Sequence, residues 1–278
     1  MTSALTRERL LKPISAAGRA LGLQGWLRRA NERLGVVRNR HTLGRQYLRG
    51  SGIEIGALAH PLLVSAGVRV TYLDHVTRDQ CVERFPELDP AKLVTPEIID
   101  DGFALVAVPA NSQDFLIANH VLEHAPNPYQ VLRSWCRVLR SGGLLFVTVP
   151  DVHQCFDRGR TITSADHLLA DFEAGSDAAN ETLHQRTFEH YLEWMAISHD
   201  ALLVQHGKPP EYLAPDVARE RALQLWQARS DIHFHTFSSS SFRESLEVFC
   251  RRLMPEMSLY RYYPLKDEIV ALLKKRDS

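Results

Sequence analysis

Apolar positions change their period several times along this 278-residue chain. Leu23, Trp26, Leu27, Ala30 and Leu34 share one helical stripe, with Arg28, Arg29 and Arg33 between them, so residues 1–49 read as a helical arm. From Gly52 the period shortens. Gly52–Gly56 is a short apolar strand stopped by glycine, and Pro61 follows where a helix can begin. Val68–Asp74 is a second β-rich run, Gln80–Arg84 reads as helix, and Leu93–Ile99 is a weaker strand. Asp114–Asn119 is a stronger strand that runs into a helix with Val131, Leu132, Trp135, Val138 and Leu139 on one face, closed by Ser141-Gly142-Gly143. Leu144–Val149 is apolar throughout and ends at Pro150. Strands that are apolar on both sides and alternate with helices predict an α/β fold, its parallel sheet covered on both faces.

Beyond Pro150 the rhythm breaks. Residues 151–230 are mostly helical in pattern (Leu168, Leu169 and Phe172; Phe188, Tyr191, Leu192 and Met195) and read as an insertion capping the site. Residues 231–278 then complete the sheet. Ser241 and Glu244 have capping-box spacing for a helix to about Leu253, and Met257–Tyr263 and Glu268–Leu273 follow as two closing strands. The core proper is thus expected over 50–150.

Charge adds a second division. The chain carries 33 basic and 33 acidic residues, yet residues 1–50 hold eleven Lys/Arg against two Glu. A basic arm precedes an acidic globule. The arm either packs on the core with its arginines solvated or lies on an anionic membrane surface as a peripheral contact. Cys81, Cys136, Cys155 and Cys250 form no CxxC pair, and no apolar run approaches a membrane span, so a cytoplasmic setting is expected. The dispersed aromatics and the acidic character beyond residue 150 give no nucleic-acid footprint.

In a doubly wound sheet, ligands sit beyond the carboxyl ends of the strands. Those ends carry Glu54 and Gly56, Asp74, Asp101, and Asn119 with His120. Asp74 follows Gly56 by 18 residues, close to the spacing at which a second-strand carboxylate meets ribose hydroxyls. A dinucleotide needs several glycines around its pyrophosphate, whereas Gly56-Ala57-Leu58-Ala59-His60-Pro61 has one. The loop therefore disfavours NAD and tolerates S-adenosyl-L-methionine, which has no phosphate.

Ile53-Glu54-Ile55-Gly56-Ala57-Leu58-Ala59-His60-Pro61 resembles the first motif of class I S-adenosylmethionine-dependent methyltransferases. Tyr72-Leu73-Asp74 is similar to their second-strand acid, and Asp101-Gly102 with Leu105 to their adenine-edge motif. Asp114–His124 and Leu139–Gly143 resemble the fourth- and fifth-strand motifs. More narrowly, Ala118–His124, Phe156–Arg160 and Ile232–Phe237 resemble a bacterial group linked with cell-surface glycan synthesis. The likeness covers about residues 45–278, and departs from the class at Leu58, where a second glycine is common. It implies a Rossmann-like, seven-stranded, mostly parallel sheet and methyl transfer to an oxygen of a small or carbohydrate acceptor. It also implies that Glu54, Gly56 and Ala57 border the methionine part, Asp74 the ribose, Asp101 and Gly102 the adenine, and Asn119 the sulfonium.

A hydroxyl acceptor needs a base, for which His120 and, just past the fifth strand, His153 are the candidates. Arg158, Arg160, His233 and His235 would bind an anionic acceptor, or else pair with the acidic insertion. His120, Glu123 and His124 stand at i, i+3 and i+4, a spacing that serves a metal, with Asp151, His153, His233 or His235 as a further ligand, or a hydrogen-bonded helix start. The second is the expectation, and no metal is assigned. The competing reading of the whole chain is a catalytically inactive binding scaffold of the same fold.

Overall fold

The computed structural model describes residues 38–175 and 181–277, so the expected stripe from Leu23 to Leu34 lies outside the described residues. The first described helix, α1 (Arg40–Tyr47), is capped by Asn39, whose side chain accepts from Thr42 N–H. The core then runs β1 (Ser51–Ile55), β2 (Arg69–Asp74), α2 (Arg78–Arg84), β3 (Ile98–Ile99), β4 (Gln113–Asn119), α3 (Pro128–Val138) and β5 (Leu139–Pro150). The insertion supplies α4 (Ala165–Ala174), α5 (Glu181–Glu193), a π-helical turn at Trp194–Ser198, α6 (His199–Gln205) and α7 (Pro215–Gln227). It is followed by α8 (Ser239–Arg252), β6 (Met257–Pro264) and β7 (Glu268–Lys275).

Seven strands form one sheet in the order β3-β2-β1-β4-β5-β7-β6. β1 to β5 are parallel, while β7 runs antiparallel to both β5 and β6. The middle of β4 shows why the sequence reads as it does. Leu116 and Ala118 join the cluster containing Tyr129, Trp135, Phe242 and Phe249, whereas Phe115 and Ile117 join Leu43, Leu62, Phe146 and Leu272 on the other face. Alternate side chains point to opposite faces, and both faces are covered, so the strand must be apolar at every position.

Trp135, with no exposed surface, anchors α3 to the sheet and also donates its Nε1–H to the Gly102 carbonyl at 2.7 Å. Burying such a side chain contributes roughly 2–3 kcal/mol. The hydrogen bond fixes the loop after β3 against the helix. The insertion has a small core of its own, in which Tyr191 and Met195 pack with Ala222, Ile232 and Phe234.

Four local expectations change. No helix follows Pro61: Leu58 takes a left-handed conformation, and only a few residues remain before Gly67, too few to offset helix nucleation. The strand expected from Leu93 shrinks to two residues, since Pro96 has no N–H to offer a ladder. α3 stops at Val138, and Leu139 already pairs with Gln113, so the glycine pair lies inside β5 rather than closing the helix. The N-cap of α8 is Ser238, with Ser241 as its reciprocal capping-box partner.

Candidate active site

The carboxyl ends of β1 to β4 gather the expected chemistry along one edge. Gly56 has φ 62° and donates its N–H to the Leu73 carbonyl at 2.9 Å. A Cβ there would meet only Val121 Cγ2, at 3.7 Å, so the backbone faces an open cradle. Three non-glycine residues on this edge are also left-handed: Leu58 after β1, Leu105 after β3 and His120 after β4. Strain of this kind persists where the surroundings impose it, typically at functional edges.

Asp74 ends β2 with its side chain 8% exposed, 3.0 Å from His75 Nδ1. The only other hydrogen bond to the Asp74 carboxylate among the described residues is a long one from Val76 N–H, which leaves acceptor capacity for a ligand hydroxyl. Asp101 is exposed and caps Phe103 N–H at 2.9 Å. Gly102 presses on β1, where a Cβ would lie 2.6 Å from Ile55 Cγ2.

Glu54 and Asn119 are held differently from the expectation. Both carboxylate oxygens of Glu54 accept the Leu62 N–H, at 2.9 and 3.0 Å, and Asn119 Nδ2 donates to Oε1 at 3.0 Å. The Asn119 Oδ1 accepts from Thr148 at 3.2 Å. These two residues tie the loop after β1 to β4 and β5. Burial pushes the Glu54 carboxyl up to about 7, against the pull of Leu62, Asn119 and Arg40.

His120 does not begin a helix. With φ 55° it leaves β4 through a turn, Leu122–His124 forms a single 3-10 turn, and α3 starts only at Pro128. The turn sets His120 Nε2 3.0 Å from Glu268 Oε2 and Nδ1 3.5 Å from Glu123 Oε1. Glu268 also pairs with Arg40 at 3.1 Å. Burial opposes a charge on His120, but contacts with the two carboxylates outweigh it and raise its pKa to about 9.

Behind His120 lies a buried polar cluster. Glu123 is fully buried, and neither of its oxygens takes a hydrogen bond among the described residues. Its carboxylate, His124 and His233 bring their ligand-type atoms within 4.8 Å of one another. Asp231 holds His124 Nδ1 at 2.8 Å, and Asp157 holds His233 Nδ1 at 2.6 Å. Burial would raise Glu123, yet the surrounding His120, His124 and His233 keep it below the usual carboxylate range. Its backbone carbonyl accepts from both Phe234 and His235 N–H groups, at 2.8 and 3.2 Å.

The expected acceptor-binding residues separate into two kinds. Arg158 and His153 are exposed just past β5. Arg160 is 4% exposed and is consumed internally by Asp157, Glu193 and the carbonyls of His233 and Phe234. His235 is 1% exposed, and His233 is bonded to Asp157. Arg160 and His235 are buried and His233 is engaged by Asp157, so the anion-binding patch expected from all four residues is not formed. Sequence reasoning also missed Glu268, 148 residues from the histidine that it holds.

Residues 50–147 match the family model described as a methyltransferase domain. Among solved structures, the chain is similar to a SAM-dependent methyltransferase from Aquifex aeolicus at 10% identity, over 82% of this chain and 84% of that one, with a TM-score of 0.40. It is also similar to a SAM-dependent methyltransferase from Methanosarcina mazei at 13% identity, over 84% of this chain and 96% of that one, with a TM-score of 0.40. No curated protein matches. No helix among the described residues is long and apolar enough to cross a membrane. Residues 50–147 are a methyltransferase domain, and the cofactor of this enzyme core is S-adenosylmethionine.

Proposed function

We propose that the chain moves a methyl group from S-adenosylmethionine to an oxygen of a small or carbohydrate acceptor, in the setting of surface glycan synthesis. The observation that carries this reading is the edge shared by Gly56, Asp74, Asp101 and His120. Gly56 and Ala57 offer backbone to the methionine part, Asp74 takes the ribose hydroxyls, and Asp101 with Gly102 borders the adenine. Glu54 and Asn119 act as positioning residues beneath them. When bound, the cofactor supplies an electrophilic methyl group, and the protein supplies alignment and a proton acceptor.

His120 adjoins Val121, whose side chain borders the Gly56 cradle, so it stands beside the methyl-donating end. Held at about 9, it is an imidazolium at neutral pH and becomes a base on losing that proton, with Glu268 and Glu123 keeping the ring oriented. Arg158, exposed just past β5, provides a cation for an anionic acceptor, and His153, exposed nearby in sequence, offers a further hydrogen-bonding group.

Calorimetry with S-adenosylmethionine and its demethylated product tests the cofactor assignment. Both bind wild-type protein, and Asp74→Ala weakens binding about tenfold, as expected for the loss of one or two hydrogen bonds. Absence of binding to folded protein overturns the reading and favours the inactive scaffold. Radiolabel transfer to lipid-linked and free sugars then decides the acceptor class.

A further inference from the structure

We propose that His167, Asp171, His190 and His235 form a closed four-ligand site for a zinc-class divalent cation, which pins the helical insertion to the cofactor-binding core. His167 and Asp171 lie one turn apart on α4, His190 comes from α5, and His235 from the extended segment before α8. Their ligand atoms all lie within 4.8 Å of one another. His167 Nε2 is 3.2 Å from His190 Nε2 and 3.2 Å from Asp171 Oδ2, while His235 Nε2 is 3.8 Å from Asp171 Oδ2. Metal–ligand bonds of about 2.0–2.1 Å in a tetrahedron place ligand atoms about 3.4 Å apart. The four groups therefore already stand near the corners that a cation would impose.

Unmet polar atoms supply the second, independent observation. Both ring nitrogens of His235 and Oδ2 of Asp171 are buried without a sound hydrogen bond among the described residues. A buried donor or acceptor left unmet in this way destabilises the fold unless a ligand satisfies it. Both residues are 1% exposed. The other carboxylate oxygen is fixed, since Arg186 approaches Asp171 Oδ1 at 2.8 Å through both Nε and Nη2. That contact turns Oδ2 towards the imidazoles, as an outer-shell partner does. The rings meet edge to face, with centroids 5.1, 5.5 and 4.9 Å apart, so their nitrogens converge instead of stacking.

Three imidazoles and one carboxylate are a zinc or cobalt donor set rather than a magnesium or calcium one. Four protein ligands leave no open position, so the cation holds structure and performs no chemistry. His167, 38% exposed, marks its route of entry. The site is anchored to the core twice: Asn127, the cap of α3, donates to the Asp171 and Gly175 carbonyls, and His235 N–H reaches the Glu123 carbonyl.

Cobalt titration of chelator-treated full-length protein tests the proposal. One equivalent of Co2+ should develop the intense visible band of tetrahedral coordination, and Zn2+ should displace it. His190→Ala and His167→Ala should each abolish the band and weaken Zn2+ binding by roughly 100-fold or more. His124→Ala, in the separate Glu123 cluster, should retain both. His167 is partly exposed, so its variant remains informative if the His190 variant does not fold. No tetrahedral band in folded wild type, or a band kept in His167→Ala and lost in His124→Ala, overturns the assignment.

Discussion

Two buried carboxylates, each ringed by imidazoles, have neighbouring histidines whose pKa values shift in opposite directions. Around Glu123, the histidines have further acids to lean on: Glu268 for His120, Asp231 for His124 and Asp157 for His233. Burial disfavours charge on His120 and His124, but these acids win, and both rings are pushed above the ordinary histidine range. Around Asp171, three histidines share one carboxylate, which Arg186 already engages. There burial wins, taking His190 down to about 4 and His235 well below its usual value. The ratio of acids to imidazoles decides whether a buried histidine cluster carries protons or offers lone pairs.

The largest effect should come from Glu123→Gln. It removes the central charge from beside His120, which is held at about 9 and so is protonated at neutral pH, and breaking a buried pair from one side costs about 3–5 kcal/mol. Denaturant unfolding at neutral pH measures that loss. A change below about 1 kcal/mol would show that His120 is neutral beside Glu123 and would erase the contrast between the clusters.

The next effect is a pH dependence. His120 has a raised pKa in the fold, so its stabilising contribution is complete below pH 6.5 and is lost as pH climbs through about 9. Stability should decline across that window in wild type and decline less in His120→Gln. Methyl transfer should rise over the same window, and His120→Gln should lose that limb. A limb near 6.5 that survives the substitution would remove His120 from the role of base.

The smallest effect concerns neither cluster and calibrates both. Leu58→Gly relieves a left-handed leucine, worth about 1–2 kcal/mol, but gains unfolded-state freedom of about 0.5–1 kcal/mol. Thermal melting should therefore move little, while cofactor affinity rises as the side chain leaves the loop.

Much of the sheet was legible because β4 and β5 are buried on both faces and admit only apolar residues. Asp74, Gly56 and Asp101 were legible for a related reason, since strand ends set their spacing. The segment after Asn119 misled because His120, Glu123 and His124 satisfy a helical spacing equally well in a tight turn. Only the backbone of His120, and the delay of α3 until Asn127 could cap it, distinguish the two. His167 and Asp171 stand at i and i+4 on one helix, a pair that the sequence pattern did not single out. His190 and His235 join it through tertiary packing alone, and no local pattern announces that meeting. His235 was instead expected to bind an anionic acceptor, which needs solvent access that it does not have.

The segment from Asp231 to Phe237 is stitched on both sides, with Phe234 and His235 on the Glu123 carbonyl, Thr163 N–H on Thr236 and Val152 N–H on Phe237. A protein engineer grafting a foreign cap onto this scaffold could not cut cleanly at the ends of the helices. The transplant would have to carry those seven residues with it, because the exit of the fourth strand is moulded around them.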